Sequence, residues 1–251
     1  MFRTGQAVGA LGLYRQGIIR YSSPMCGRYV LYGPQSRHTR DFEVDGWPDF
    51  PDRYNIAPSL EVPIIRQSPE GVRVAQLLRW GLIPHWAKDP ALGNKLTNAR
   101  GESVADKPSF RSALKQRRCL IPASGFYEWQ AEQGGRKQPW YIHLKGDVAM
   151  AMGGLWERWT SPDGEILRTF CVITTAPNEI MQPIHDRMPV IIPKWRWADW
   201  LNPQNSDAAE ISGLLIPYDA AAMEAWPVSR RVSNSREEGA ELISPLPADL
   251  G

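Results

Sequence analysis

The chain of 251 residues predicts an α+β domain, mainly antiparallel β with helices packed outside it. Three observations predict this. Short runs rich in Val, Ile, Tyr, Trp and Phe recur along the chain, broken by Pro and Gly. Turn signals such as Gly134-Gly135 and Asp163-Gly164 separate several of these runs. Helical stretches are fewer and short. Hydrophobic content of 43% and charged content of 22% are ordinary for a globular protein, and the length suffices for one substantial core.

Taken in order, the first strand is expected at 25–32, where Tyr, Val and Leu follow Met-Cys-Gly-Arg. Apolar runs place strands at 62–67 and 72–80. Helices are expected at 99–105 and 108–116, the latter with Pro108 in its first turn. Strands follow at 118–122, 125–130, 139–145, 148–157 and 167–175. Pro177 suits the first turn of a helix over 177–184, and a strand at 188–192 follows it. Helices at 194–201 and 206–215 complete the pattern. No repeat, low-complexity tract or dividing linker interrupts residues 25–245, which read as one domain. Residues 1–24 read as an N-terminal extension and 246–251 as a short tail.

The bulk numbers exclude several function classes. The net charge is +2, and the first 24 residues hold Arg3, Arg15 and Arg20 with no acid. The remainder is close to neutral, so any surface for nucleic acid must be a local cluster. Cys26, Cys119 and Cys171 form no C-x-x-C pair, which argues against a disulfide framework and for a reducing, cytoplasmic setting. His38, His85, His143 and His185 have no zinc spacing, so no metal is expected. No apolar run approaches the ~20 residues of a membrane span. The acid-free leader reads most economically as an upstream start or a propeptide.

The dipeptide Met25-Cys26 is the most informative feature. A cysteine directly after methionine becomes N-terminal when the methionine is removed. It then carries an amine next to its own thiol, and this 1,2-aminothiol captures an aldehyde first as a Schiff base and then as a thiazolidine. Taken alone, Cys26 is equally a small core residue. Gly27 leaves the backbone bare beside it, and Arg28 offers a bidentate phosphate contact. Asn98 either caps a helix or orients the amine, with Arg100 near the same helix start. Glu128, among Phe126, Tyr127 and Trp129, is either exposed by strand alternation or held in an apolar pocket suited to acid–base work. His185, with Asp186 and Arg187, lies on a turn bounded by Pro183 and Pro189 and is either structural or catalytic. Trp80 and Trp86 flank a Gly and a Pro; exposed aromatics here can stack on unpaired bases or wedge between them, and at least one of the two is expected to be buried.

Together these segments resemble the SOS response-associated peptidase family of abasic-site processing proteins. The matching stretches are MCGRY (25–29), YNIAPS (54–59), WGLIPHWA (80–87), NARGES (98–103), KPSFR (107–111), RRCLIPASGFYEW (117–129), GLWERW (154–159), IHDRMPVII (184–192) and the tail at 227–243. Nine ordered segments are far more specific than any one. The resemblance implies a single β domain with a positively charged cleft and an N-terminal Cys26 that crosslinks to abasic sites in single-stranded DNA. It implies that Asn98 positions the amine while Glu128 and His185 open the sugar. It further implies that Gly27, Arg28, Arg100 and Arg187 meet DNA, with Trp80 as an aromatic wedge. No cofactor or metal is implied, and a monomer is expected. The same cysteine is also suited to attack a peptide carbonyl. A cysteine peptidase acting on proteins and a non-covalent reader of modified bases are the competing readings. One departure is the 24 residues ahead of Met25, since an amide at Cys26 blocks thiazolidine formation. A second is Ser233, where the family usually has asparagine.

Overall fold

Every strand expected from the sequence is present, and three more join them in two sheets. The computed structural model describes residues 26–146, 148–205 and 207–247. The N-terminal extension, Met25 and residues 248–251 lie outside the described residues. The first sheet contains β1 (Tyr29–Leu31), β2 (Arg53–Ile56), β7 (Gly125–Ala131), β8 (Lys137–Leu144) and β12 (Met223–Pro227), in the order β12-β8-β7-β1-β2. All its pairings are antiparallel.

The second sheet closes on itself. It contains β3 (Glu61–Gln67), β4 (Arg73–Trp80), β6 (Arg118–Ala123), β9 (Met150–Thr160) and β10 (Ile166–Thr175), with β5 (Asn98–Arg100) and β11 (Met188–Pro189) on β10. Strand β10 pairs with β9 along one edge and with β4 along the other, which completes a small barrel. The pairings of β10 with β4 and β5 are parallel, so this sheet is mixed rather than purely antiparallel.

Both faces of the barrel wall are covered, which explains why strands such as 62–67 read as continuous apolar runs. Val62, Ile64, Leu78, Trp80, Ile121, Phe170 and Val172 fill one cluster. Ile65, Leu120, Leu155, Cys171 and Ile173 form the other, under Phe42 of helix α1 (Gln35–Phe42), Leu114 of α2 (Arg111–Gln116), and Trp197 and Trp200 of α3 (Trp197–Leu201). Ile211 of α4 (Ala208–Gly213) joins this layer. Buried Arg118 donates to the carbonyls of Leu114 and Lys115 at the end of α2 and to those of Trp200, Asn202 and Asn205 at the end of α3. One guanidinium thus satisfies acceptors that helix C-termini leave open. Burial lowers its pKa to about 10.

Two expected helices are absent. Residues 98–100 form β5 instead, because β4 pairs with β10 only at Thr169 and Phe170 and leaves the following edge open for Asn98–Arg100. Tertiary pairing here overrides local preference. Residues 179–184 form successive turns, and Pro183 cannot donate the bond that a helix would need there. The helix expected from 108 begins at Arg111. Helix α1, β2 and β12 were not expected from the sequence.

Gly154 lies where β9 passes between β6 and β10. A Cβ there would sit 2.6 Å from Ile121 Cδ1 and 2.8 Å from the Cys171 carbonyl oxygen. Gly154→Ala is therefore expected to destabilise the fold by about 1–3 kcal/mol, the usual cost of overpacking. Chemical denaturation checks this; an unchanged midpoint would show that the barrel wall yields without cost.

Candidate functional site around Cys26

Cys26 stands just before β1 with φ 45°, in the left-handed region that residues bearing a Cβ rarely enter. Its backbone nitrogen donates to Glu128 Oε1 at 2.7 Å. The bond follows from β1 pairing with β7: Tyr29 lies opposite Phe126, and Tyr127 N donates to Arg28 O. Alternation along β7 puts Glu128 on the same face as Phe126, toward the barrel. Glu128 is 2% exposed and Cys26 4%. Of the two sequence readings of Glu128, the structure selects the pocket.

His185 comes from the turn that joins β10 to β11. Asn178 Oδ1 accepts from Met181 N, and the nitrogens of Ile184 and His185 both donate to Met181 O. The Arg187 N–H points at His185 Nδ1 at 3.1 Å, which makes Nδ1 an acceptor and places the neutral ring's proton on Nε2. Nε2 faces Glu128 Oε2 at 4.0 Å. Exposed Asp186 also approaches Nδ1, at 3.1 Å, and gains a donor there only when the ring is doubly protonated.

Burial raises the Glu128 pKa, with His185 and the N–H groups of Cys26 and Trp129 opposing it. Burial also pushes the Cys26 thiol well up, Glu128 adds to this, and Arg187 opposes. The site thus holds a protonatable carboxyl and an un-ionised thiol against one backbone nitrogen.

The pair opens onto a pocket of about 460 Å³ lined by Gly27, Arg28, Pro58, Glu128, Trp129, Lys137, His185 and Ser233. Arg28 donates to Val232 O at 3.0 Å and stands 5.9 Å from the Trp129 ring centre. Sequence reasoning missed much of this wall. Asn55 is fully buried, and its Nδ2 donates to the carbonyls of Val232, Asn234 and Glu237. It thereby folds the distant tail over the pocket, where Ser233 Oγ accepts from Trp129 Nε1 at 2.9 Å. The Ser233 departure therefore falls on a pocket residue.

The remaining sequence candidates are placed less centrally. Asn98 is half-buried on β5, donates to Thr97 Oγ1 at 3.4 Å, and caps no helix. Arg100 is exposed at the end of β5. Arg187 grips Glu102 with two bonds of 2.6 and 2.7 Å and also reaches Thr174 O, so its guanidinium is already engaged. Trp80 is a correction. It is 1% exposed, packs against Tyr29 and Phe170, and donates to Thr97 O, so it is a core residue and presents no wedge at the surface. Trp86 is the exposed tryptophan of that loop, at 51%. Among the described residues, no cluster of three or more His, Cys, Asp or Glu has the geometry to hold a metal ion, and no helix is long and apolar enough to cross a membrane.

Known proteins resemble this chain in sequence and in fold. The abasic site processing protein YoqW of Bacillus subtilis is 43% identical over 222 residues, covering 87% of this chain and 99% of that protein. HMCES of Xenopus tropicalis, also an abasic site processing protein, is 30% identical over 80% of this chain and 70% of its own. A crystal structure of a Bacteroides thetaiotaomicron protein superposes with a TM-score of 0.71 at 30% identity, covering 79% of this chain and 87% of that one. The family model for SOS response associated peptidase matches residues 25–235. With its cysteine, carboxylate and histidine set together at the edge of the barrel, this chain belongs to the SOS response associated peptidase (SRAP) family.

Proposed function

We propose that the protein processes abasic sites in single-stranded DNA by forming a thiazolidine through Cys26 once that residue is N-terminal. The observation that carries this reading is the 2.7 Å bond from the Cys26 nitrogen to buried Glu128. In the chain with Met25 attached that nitrogen is an amide; after cleavage it is an amine in the same place. A carboxylate whose pKa burial has raised is a competent acceptor for the ammonium proton, which frees the amine lone pair.

An abasic deoxyribose rests mostly as a closed hemiacetal. Opening it needs a proton removed from the C1′ hydroxyl and one delivered to the ring oxygen. Glu128 and His185, facing each other across 4.0 Å, supply the two roles. The amine then adds to the aldehyde and water leaves as the Schiff base forms. The Cys26 thiol adds across the C=N bond, its proton passes to nitrogen, and the ring closes. Glu128, which hydrogen-bonds the thiol, relays that proton to nitrogen as the sulfur attacks, so a thiol that burial holds un-ionised is activated in the step itself. The pocket beside the pair, with Arg28 and Lys137 for phosphate and Trp129 for a base, receives the strand.

An abasic oligonucleotide is expected to give a denaturation-resistant adduct only with protein whose intact mass begins at Cys26. Cys26→Ala abolishes the adduct, and Cys26→Ser leaves only a reducible Schiff base. Equal yield from the full-length chain would remove the amine from the mechanism.

Glu128→Gln keeps the hydrogen bond to the Cys26 nitrogen and loses the titrating proton. Adduct formation is expected to slow by about 10²–10⁴-fold with affinity for intact DNA nearly unchanged. Stability moves the opposite way in the chain that retains Met25. The folded state holds the Glu128 proton above the ordinary carboxylate pKa, where the unfolded state has lost it. Stability therefore falls as pH rises from that ordinary value toward the raised one. Glu128→Gln should raise Tm near neutral pH and not below the ordinary carboxylate range; calorimetry at both values checks the sign.

Binding to intact single-stranded DNA should weaken with salt by a slope of about −0.7 per phosphate neutralised. Arg28→Ala and Arg100→Ala should each make that slope shallower. A slope that neither variant changes would place the strand elsewhere.

A further inference from the structure

Glu128 and His185 come from different parts of the fold. Glu128 is on β7 of the five-stranded sheet, and His185 is on the turn leaving β10 of the barrel. At 4.0 Å the two are beyond hydrogen-bonding range, so they do not fix their own separation. Met181 and Ile180 pack the turn into the apolar cluster that holds Phe126 of β7, but such packing is non-directional and leaves the spacing of the pair to a polar contact.

Gln130 is placed to make that contact. It lies two residues after Glu128, on the same face of β7. Its Nε2 donates to the carbonyl of Pro183 at 2.9 Å, two residues before His185. Its Oε1 accepts from Trp140 Nε1 at 3.0 Å. An indole nitrogen only donates, so the carboxamide has one consistent orientation, oxygen to Trp140 and nitrogen to Pro183. Trp140 is itself opposite Glu128 in the β7–β8 register. The chain Trp140–Gln130–Pro183 therefore ties the strand carrying the carboxylate to the turn carrying the imidazole. The turn's other bonds run elsewhere: Ile184 and His185 to Met181, Asn178 to Tyr218, and Arg187 to Glu102 and Thr174. None of these reaches β7.

We infer that Gln130 is a positioning residue, which sets the distance between Glu128 and His185 without touching the reacting groups. Its consequence for rate rests on the abasic-site reading above; its consequence for geometry does not. A misplacement of about 1 Å in a catalytic pair costs up to ~10²-fold in rate.

The test is Gln130→Met, which keeps chain length and loses both hydrogen bonds, read in two ways. The first readout is the titration midpoint of the Glu128 carboxyl carbon by NMR, which needs no DNA. Burial pushes the Glu128 carboxyl up and His185 opposes it, and both depend on how the turn is seated, so loosening the turn should displace that midpoint. The second is the rate of adduct formation on abasic DNA. It should fall about tenfold, while Tm and affinity for intact strands stay near wild type. Trp140→Phe keeps an aromatic ring and removes the Nε1 donor to the Gln130 amide oxygen; it should displace the midpoint in the same sense as Gln130→Met, and it decides the matter if Gln130→Met does not fold. A midpoint that stays put in both variants overturns the inference, whatever the rate does. If the wild-type protein forms no adduct, the functional reading fails, and the midpoint still judges Gln130.

Discussion

Strand β10 is the constraint on which the site depends. It bonds to β9 and β11 along one edge and to β4 and β5 along the other. A buried strand cannot leave its N–H and C=O groups unpaired without a cost of roughly 1–3 kcal/mol each. Where β4 runs out, β5 must take over, and where β9 ends, β11 must follow. The first demand brings Asn98 and Arg100 to the barrel's edge. The second brings the chain back from the turn that carries His185. The barrel is thus closed, and the turn that carries His185 is delivered, by the same ladder of backbone bonds.

Against this well-satisfied frame the site breaks several local rules at once. Cys26 adopts a backbone angle that favours glycine, a carboxyl is buried, and a thiol is buried beside it. Each is unfavourable alone, and each is held in place by β1–β7 pairing and the packed turn. Such conflicts between local preference and global fold concentrate where function requires them. The contrast with Arg118 is instructive. That buried cation meets carbonyl groups at two helix ends and faces no reacting group, so its desolvation serves packing alone.

The strands were legible because β-branched and aromatic runs between Pro and Gly have few other uses. Cys26, Glu128 and His185 were legible because their types fit one reaction and their segments fit one family, and the structure brings the three together. What escaped was whatever depends on distant partners. Asn55 finds its acceptors 177 to 182 residues away, and nothing local to YNIAPS reports them. β5 exists only because β10 has an open edge, so 99–105 looked helical from within. Trp80 and Trp86 sit in one motif, and only the packed barrel tells which is core. Gln130 was passed over because a glutamine after Glu-Trp carries no signal until the Pro183 carbonyl is placed beside it.

The Asn55 clamp also has a temporal meaning. During synthesis Cys26 leaves the ribosome about two hundred residues before Val232, Ser233 and Asn234, which close the pocket. At about 5–20 residues per second, that interval is on the order of 10–40 s. Throughout it the first sheet lacks both β12 and the carbonyls that Asn55 requires. A nascent chain therefore carries its cysteine without the enclosure that selects what the cysteine meets. The residue gains that wall only once the segment around Ser233 has been made, so ribosome stalling between the two would leave the thiol without its enclosure.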